Sequence, residues 1–303
     1  MQAEKKNEFL AFIGHINIDI VLRVSALGDL VSTPVKEAME TFGGTAGNFA
    51  LIGSMLGFPF DIISIVSAKS HSSYIEEMKR RKINTEFIRI VDGNLGPNCY
   101  AVTDGSNQRY FMADGPMGTE DYIHPDKSYE YIHSSTGIPE KNLALIQTTR
   151  HNKVVFDPGQ EAGSKYNLTA MKRFIDIANV IICNEQEIKI IQNLSNNTIA
   201  EMTSSGIDII MTKGSEGSTI YHRDRQIKVK ALKAEKVVDT IGAGDSFRAG
   251  FYAALYNKYD MDFAVLCGNI VAGLAVQSGI MKYGQPWKAV EDMAKKLKET
   301  YIT

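Results

Sequence analysis

The chain has 303 residues, 44% of them hydrophobic and 22% charged, with a formal net charge of −2. At roughly 150 residues per domain the length suits one large domain or two ordinary ones, and the composition excludes wholesale disorder, collagen and a small disulfide scaffold. The absence of a basic surplus argues against non-specific nucleic-acid binding. Three cysteines, Cys99, Cys183 and Cys267, form no CxxC pair, which sets aside zinc-ribbon and thioredoxin readings and points to a reducing cytoplasm. The apolar stretch at residues 9–13 is too short for a signal peptide. No apolar window approaches the roughly 18 residues of a spanning helix; the nearest, residues 264–276, is short and carries Asn269. A soluble, cytoplasmic protein without a membrane or nucleic-acid partner is expected.

Residues 9–13 read as a strand buried on both faces, as in a parallel sheet. The alternation of Ile16, Ile18 and Ile20 gives a second strand, and residues 33–42 a third that ends at Gly43-Gly44. A helix over 46–56, a strand over 62–66 and a polar helix over 73–82 follow. Residues 87–91, 98–103 and 109–112 are short strand signals, with Asp104-Gly105 marking a tight hairpin. No helix intervenes among them, so antiparallel pairing is expected, in a small β-rich insertion on an α/β body. From residue 143 the rhythm is α/β: strands at 154–156, 180–183 and 207–212, helices at 168–178 and 185–192, and hairpin strands at 218–222 and 227–230. Helices at 243–256, 263–278 and 286–300 close the chain. Such alternation predicts a mainly parallel sheet covered on both faces.

The strongest chemical signal is Asp239-Thr-Ile-Gly-Ala-Gly-Asp245, a glycine-rich turn feeding an apolar helix. A helix N-terminus offers free N–H groups and partial positive charge to an anion. Gly242 and Gly244 allow close approach. Asp245 repels a phosphate, so it makes sense as a general base taking a hydroxyl proton while the N–H groups hold a phosphoryl group. On this motif alone, a helix-capping Asp fits equally. No Walker A loop exists, and the first βα turn lacks GxGxxG. Gly43-Gly44-Thr45-Ala46-Gly47-Asn48 leaves room for a ligand, with Asn48 able to bond a sugar diol; a tight strand-to-helix turn is the plainer alternative. Asp19 follows the first strand, where a carboxylate can accept from vicinal hydroxyls. Asn184-Glu185-Gln186-Glu187 offers carboxylates for hydrated Mg²⁺, or an acidic first turn suited to the helix dipole. Thr212-Lys-Gly-Ser-Glu-Gly217 is a second glycine turn at a strand end.

In this order and spacing, the four motifs resemble the ribokinase-like (PfkB) family of sugar and nucleoside kinases over nearly the whole chain. The resemblance implies a three-layer α/β/α core with a mostly parallel central sheet and a small β-rich lid, forming one domain over 1–303 with lid segments near 15–42 and 87–115. It implies γ-phosphoryl transfer from ATP, with Mg²⁺. Asp245 would be the base, with the Gly242, Ala243 and Gly244 amides as the anion hole. Asp19, Gly43, Gly44 and Asn48 would hold the sugar. Asn184 and Glu187 would organise Mg²⁺ through water. Thr212, Gly214, Gly217 and Asn269 would bind the nucleotide, although Asn269 also suits a core amide bonded to a turn. Asp239 marks the family's K⁺ position. Ile241 stands there in place of a small or hydroxyl residue, which leaves K⁺ activation open. Arg248 either reaches the phosphates or lies on the surface. Phe156-Asp-Pro-Gly-Gln160, residues 212–218 and residues 244–251 look nearest the archaeal nucleoside kinase branch. This implies a ribonucleoside 5′-hydroxyl as acceptor, with Gln160 near the substrate or its base. A sugar kinase acting on ribose, fructose, a fructose phosphate or ketodeoxygluconate is the alternative. A nucleotide- or sugar-binding sensor without turnover is a third reading, against which Asp245 speaks. The exposed edges of the β-insertion suggest a homodimer through the lid.

Overall fold

Strand β1 (Glu8–Ile13) opens the computed structural model, which describes residues 7–28 and 32–303. It is followed by β2 (Asn17–Val24), β3 (Val35–Gly43), α1 (Thr45–Leu56), β4 (Asp61–Ser67), α2 (Ala68–Arg80) and β5 (Ile88–Val91). The middle of the chain forms β6 (Asn98–Thr103), β7 (Gln108–Ala113), the one-turn α3 (Pro116–Thr119), β8 (Ser128–Ser134), α4 (Pro139–Thr148) and β9 (Arg150–Phe156). Then come α5 (Leu168–Ile177), β10 (Val180–Asn184), α6 (Glu185–Ser195), α7 (Ile199–Ser204), β11 (Asp208–Thr212), β12 (Ser218–His222) and β13 (Arg225–Val229). Three helices finish the fold: α8 (Ala243–Tyr256), α9 (Met261–Ser278) and α10 (Trp287–Tyr301).

Nine strands form one sheet in the order β13-β12-β11-β10-β9-β8-β1-β4-β5. Every neighbour from β11 to β5 is parallel, and only the β11-β12-β13 hairpins are antiparallel. Side chains alternate across a strand, and β10 shows the consequence. Val180 and Ile182 join one apolar core beneath α1, α8 and α9, while Ile181 and Cys183 join the other, beneath α4, α5 and α6. The expected three-layer α/β/α core with a mostly parallel sheet is therefore present.

A smaller sheet carries β3-β2-β6-β7. The expected hairpin is found between β6 and β7. One expectation for this region changes. Residues 88–91 do not join the smaller sheet: β5 pairs in parallel with β4 in the large one. Helix α2 supplies the crossover that such a pairing needs. On its other side β6 runs parallel to β2. The smaller sheet thus comprises 17–43 and 98–113 rather than 15–42 and 87–115, and residues 29–31 of the first segment lie outside those described. Strand β8 was not expected, because its Glu130, His133 and Ser134 break the apolar pattern. Helix α9 reaches 18 residues at a mean hydropathy of 1.4, longer than the sequence suggested, but 61% of it is buried inside the protein. It packs against α8 and α10.

Candidate active site

Open parallel sheets bind ligands beyond the carboxyl ends of their strands, and a cavity of about 450 Å³ lies there. His15 follows β1, Thr136 follows β8, Gly159 follows β9, and Asn184 and Thr212 end β10 and β11. All five line the cavity, together with Val21, Ala101 and Tyr110 of the smaller sheet.

Eleven of the expected residues are brought together in this cavity: Asp19, Gly44, Asn48, Gln160, Asn184, Glu187, Thr212, Gly242, Ala243, Gly244 and Asp245. Gly43 sits directly behind Asp19 and its carbonyl accepts from the Tyr74 hydroxyl at 3.1 Å. Gly44 adopts φ +84° with the His15 carbonyl 2.5 Å from where a Cβ would stand, so only glycine fits that turn. Asn269 is buried but bonded within the core. Its Oδ1 accepts from Ser218 Oγ at 2.8 Å and its Nδ2 donates to the Val229 and Lys230 carbonyls. Gly214, Gly217 and Asp239 are also outside the cavity wall. Asp239 Oδ1 accepts from the Ile241 amide at 2.9 Å.

Gly242, in the left-handed conformation at φ +71°, caps the N-terminus of α8, and it lines the cavity with Ala243 and Gly244. Asp245 stands in that first turn, buried, with Oδ2 accepting from Asn48 Nδ2 at 2.8 Å and Oδ1 accepting from Arg248 Nη1 at 2.7 Å. Burial pushes its carboxyl up to about 6, against the pull of Arg248 and Asn48. Asp19 is raised to about 7, chiefly by burial and then by the charge of Asp245. Three buried polar atoms on cavity-lining residues, His15 Nδ1, Asn17 Oδ1 and Asp19 Oδ1, lack a hydrogen-bond partner among the described residues. Buried polar atoms are nearly always paired; grouped on one wall, these suit a ligand rich in hydroxyls.

Asn184 and Glu187 cap α6 reciprocally: Asn184 Oδ1 accepts from the Glu187 amide and Glu187 Oε2 accepts from the Asn184 amide, at 2.9 and 2.8 Å. Such caps stabilise a helix by about 0.5–2 kcal/mol. Here the capping carboxylate also lines the cavity, and burial followed by the charge of Asp157 raises its pKa.

The structure gives Arg248 and Asp157 surroundings that the sequence left open. Arg248 is neither on the surface nor free to swing: its Nε and Nη2 grip both oxygens of Asp157, the latter at 2.8 Å. Asp157, read as part of a strand-terminating turn, is fully buried. The available signal was an arginine one turn beyond Asp245 in an otherwise apolar helix. A second network joins His15 to Asp114 at 3.1 Å, and Lys165 to Asp114 and Glu161, beside the cavity.

The pfkB carbohydrate kinase family profile matches residues 7–287. The chain belongs to the pfkB family of carbohydrate kinases. It is thus a phosphotransferase. A nucleoside kinase of Thermoplasma acidophilum is 34% identical over 275 residues, which is 91% of this chain and 92% of that protein. The crystal structure of a Methanocaldococcus jannaschii nucleoside kinase is 30% identical and superposes with a TM-score of 0.87 over 96% of this chain and 99% of that one. A Burkholderia thailandensis nucleoside kinase, at 22% identity and a TM-score of 0.84 over 96% of this chain and 99% of that one, shares the fold.

Proposed function

We propose that this chain is an ATP-dependent nucleoside kinase, transferring the γ-phosphoryl group to the 5′-hydroxyl of a ribonucleoside of the inosine, guanosine, cytidine or adenosine class. The observation that carries this is Asp245, a buried carboxylate at a glycine-led helix N-terminus, in the same cavity as the hydroxyl-accepting wall of Asn17 and Asp19. The full-length likeness to two archaeal nucleoside kinases supports the acceptor class.

In this reading Asp19, Gly43, Gly44 and Asn48 hold the ribose, and Gln160 lies toward the base. The 5′-oxygen attacks the γ-phosphorus, the bond to the β–γ bridging oxygen breaks, and ADP leaves. Asp245 takes the hydroxyl proton, a role worth about 10²–10⁴ in rate. The amides of Gly242, Ala243 and Gly244 face the charge on the transferring group. Asn184, Thr212 and the turn at Gly214 and Gly217 flank the nucleotide, and Asn269 supports it from the core. Glu187, a hard oxygen donor lining the cavity beside Asn184, would hold Mg²⁺ through water. Mg²⁺ would neutralise charge on the ATP phosphates. Asp239 is exposed with Oδ1 already engaged, so no step is routed through K⁺.

The smaller sheet acts as a lid on a single ribokinase-like domain, and the protein forms a homodimer through that lid in the cytoplasm. Its three cysteines are all free and buried, which suits a reducing compartment.

A coupled ATP-consumption assay with Mg²⁺ tests the reading, comparing the four nucleosides with ribose, fructose, fructose 6-phosphate and ketodeoxygluconate. Turnover of a nucleoside that disappears in Asp245→Asn is expected. Turnover of free sugars alone overturns the acceptor. Nucleoside binding by calorimetry without ATP consumption overturns the kinase reading in favour of a sensor.

A further inference from the structure

Helix α8 buries ten residues in succession, Asp245 to Ala254, and all are apolar, aromatic or small except the pair Asp245 and Arg248. Burying a guanidinium in such a helix is expensive unless every charge finds a partner. Arg248 finds two. Nε and Nη2 form a two-point grip on Asp157, which directly follows β9, and Nη1 donates to Asp245 Oδ1 at 2.7 Å. The i,i+3 spacing puts the arginine and the aspartate on one helix face. The neighbouring Gly244 leaves room, since a Cβ there would lie 3.3 Å from Arg248 Nη1.

We propose that Arg248, anchored by Asp157, is a positioning residue that fixes the direction of the Asp245 carboxylate. The inference rests on the reading of Asp245 as the base. A tie between α8 and β9 needs only the grip on Asp157. The third nitrogen on Asp245 is what a purely structural arginine would not require. With Asn48 holding Oδ2 from α1 and Arg248 holding Oδ1, the carboxylate is fixed at both oxygens. A guanidinium has a planar fork that can serve two carboxylates at once, which an ammonium cannot.

The groups around Asp245 set the sign of each test. Arg248 on its own helix and Asn48 on α1 favour the charged carboxylate, while Asp157 just after β9 opposes it. Asp19 on β2 and Glu187 on α6 carry further negative charge toward Asp245. His133 on β8, 3.8 Å from Asp157 Oδ2, is kept neutral by burial and by Arg248.

The experiment is kcat against pH at saturating nucleoside and ATP, in wild type, Arg248→Met, Arg248→Lys and Asp157→Asn, each checked for folding by circular dichroism. Wild-type turnover of a nucleoside and its loss in Asp245→Asn come first; failure there overturns the reading of the base and takes this inference with it. Given that result, Arg248→Met is expected to lower kcat at least tenfold and move the acidic limb up by about one pH unit, as loss of an adjacent cation does. Asp157→Asn is expected to move the limb down, because the guanidinium charge then falls on Asp245 alone, while kcat drops for want of the anchor. Arg248→Lys is expected to keep the limb in place with kcat still reduced. Limbs that stay put in Arg248→Met and Asp157→Asn, or that move the same way, overturn the proposal whatever the loss of rate. So does a tenfold rise in the KM for ATP in Arg248→Lys with an unmoved limb in Arg248→Met, which would make the arginine a phosphate contact. Should Arg248→Met fail to fold, Arg248→Gln takes its place: a limb that moves up with a lowered kcat supports the proposal, and one that stays or falls overturns it.

Discussion

The carboxylate of Asp19 occupies the space that a side chain at position 43 would need: a Cβ on Gly43 would fall 2.0 Å from Asp19 Oδ2. The Gly43-Gly44 pair therefore does more than turn the chain into α1. It lets an acceptor carboxylate settle against the backbone with Oδ1 left for a ligand.

Gly43→Ala should accordingly displace Asp19 without unfolding the protein, because the backbone there needs no left-handed conformation. We expect the KM for nucleoside to rise at least tenfold and the KM for ATP to stay within about threefold, the pattern of lost acceptor binding. Steady-state kinetics with each substrate varied in turn measures this. Equal rises in both constants would place Asp19 elsewhere in the reaction.

Two carboxyls in this cavity are raised, Asp19 to about 7 and Asp245 to about 6, and both are needed ionised in the proposed mechanism. Lowering the pH protonates them, so kcat/KM for the nucleoside should fall on the acid side through that interval, with a limiting slope approaching two protons. The two interact electrostatically, so the apparent values belong to the pair. Asp19→Asn should leave a limb of slope one at a reduced plateau. A slope of two surviving in that variant would assign the second proton to another group.

How far the sequence carried these conclusions differs by element. The runs at 9–13 and 180–183 are short, apolar and bounded by turns, and they proved to be central parallel strands. Strand β8 lies in the centre of the sheet beside β1, yet was invisible. Its buried His133 and Ser134 break the apolar run, and each is held by a tertiary contact no local pattern reveals. The misplacement of β5 has a related cause, since edge strand and lid strand look alike over four residues. At the site, the glycine motifs announced themselves because backbone geometry demands particular residues. Asp157 did not, because its partner Arg248 is 91 residues away and an Asp-Pro-Gly turn explains itself locally.

His133 shows what such hidden contacts contribute. Its Nδ1 pairs with the Tyr252 hydroxyl at 2.9 Å in a fully buried setting between β8 and α8. Tyr252→Phe leaves that nitrogen unpaired, which costs about 1–3 kcal/mol. In a chain of this size we expect the Tm to fall by roughly 1.5 °C for each kcal/mol lost. Calorimetry measures it, and kcat should remain within about twofold, because the tyrosine touches neither the cavity nor Asp245. An unchanged Tm would mean that the histidine finds another partner.

The cavity-facing side of the smaller sheet bears on the proposed dimer. Met39, Val21, Ala101 and Tyr110 are successive partners across β3, β2, β6 and β7 and form one apolar row. Val21, Ala101 and Tyr110 line the cavity, whereas Met39 and Tyr110 at the two edge strands are 44% and 55% exposed. An apolar row running off both edges of a small sheet is what a second sheet laid across it would cover. Met39→Glu places a charge in that row outside the cavity lining. We expect wild type to sediment as two chains and Met39→Glu as one, with a nucleoside KM several-fold higher as the lid loses its support. Wild type sedimenting as a single chain at micromolar concentration would remove the dimer, and Met39→Glu remaining paired would move the interface to another face.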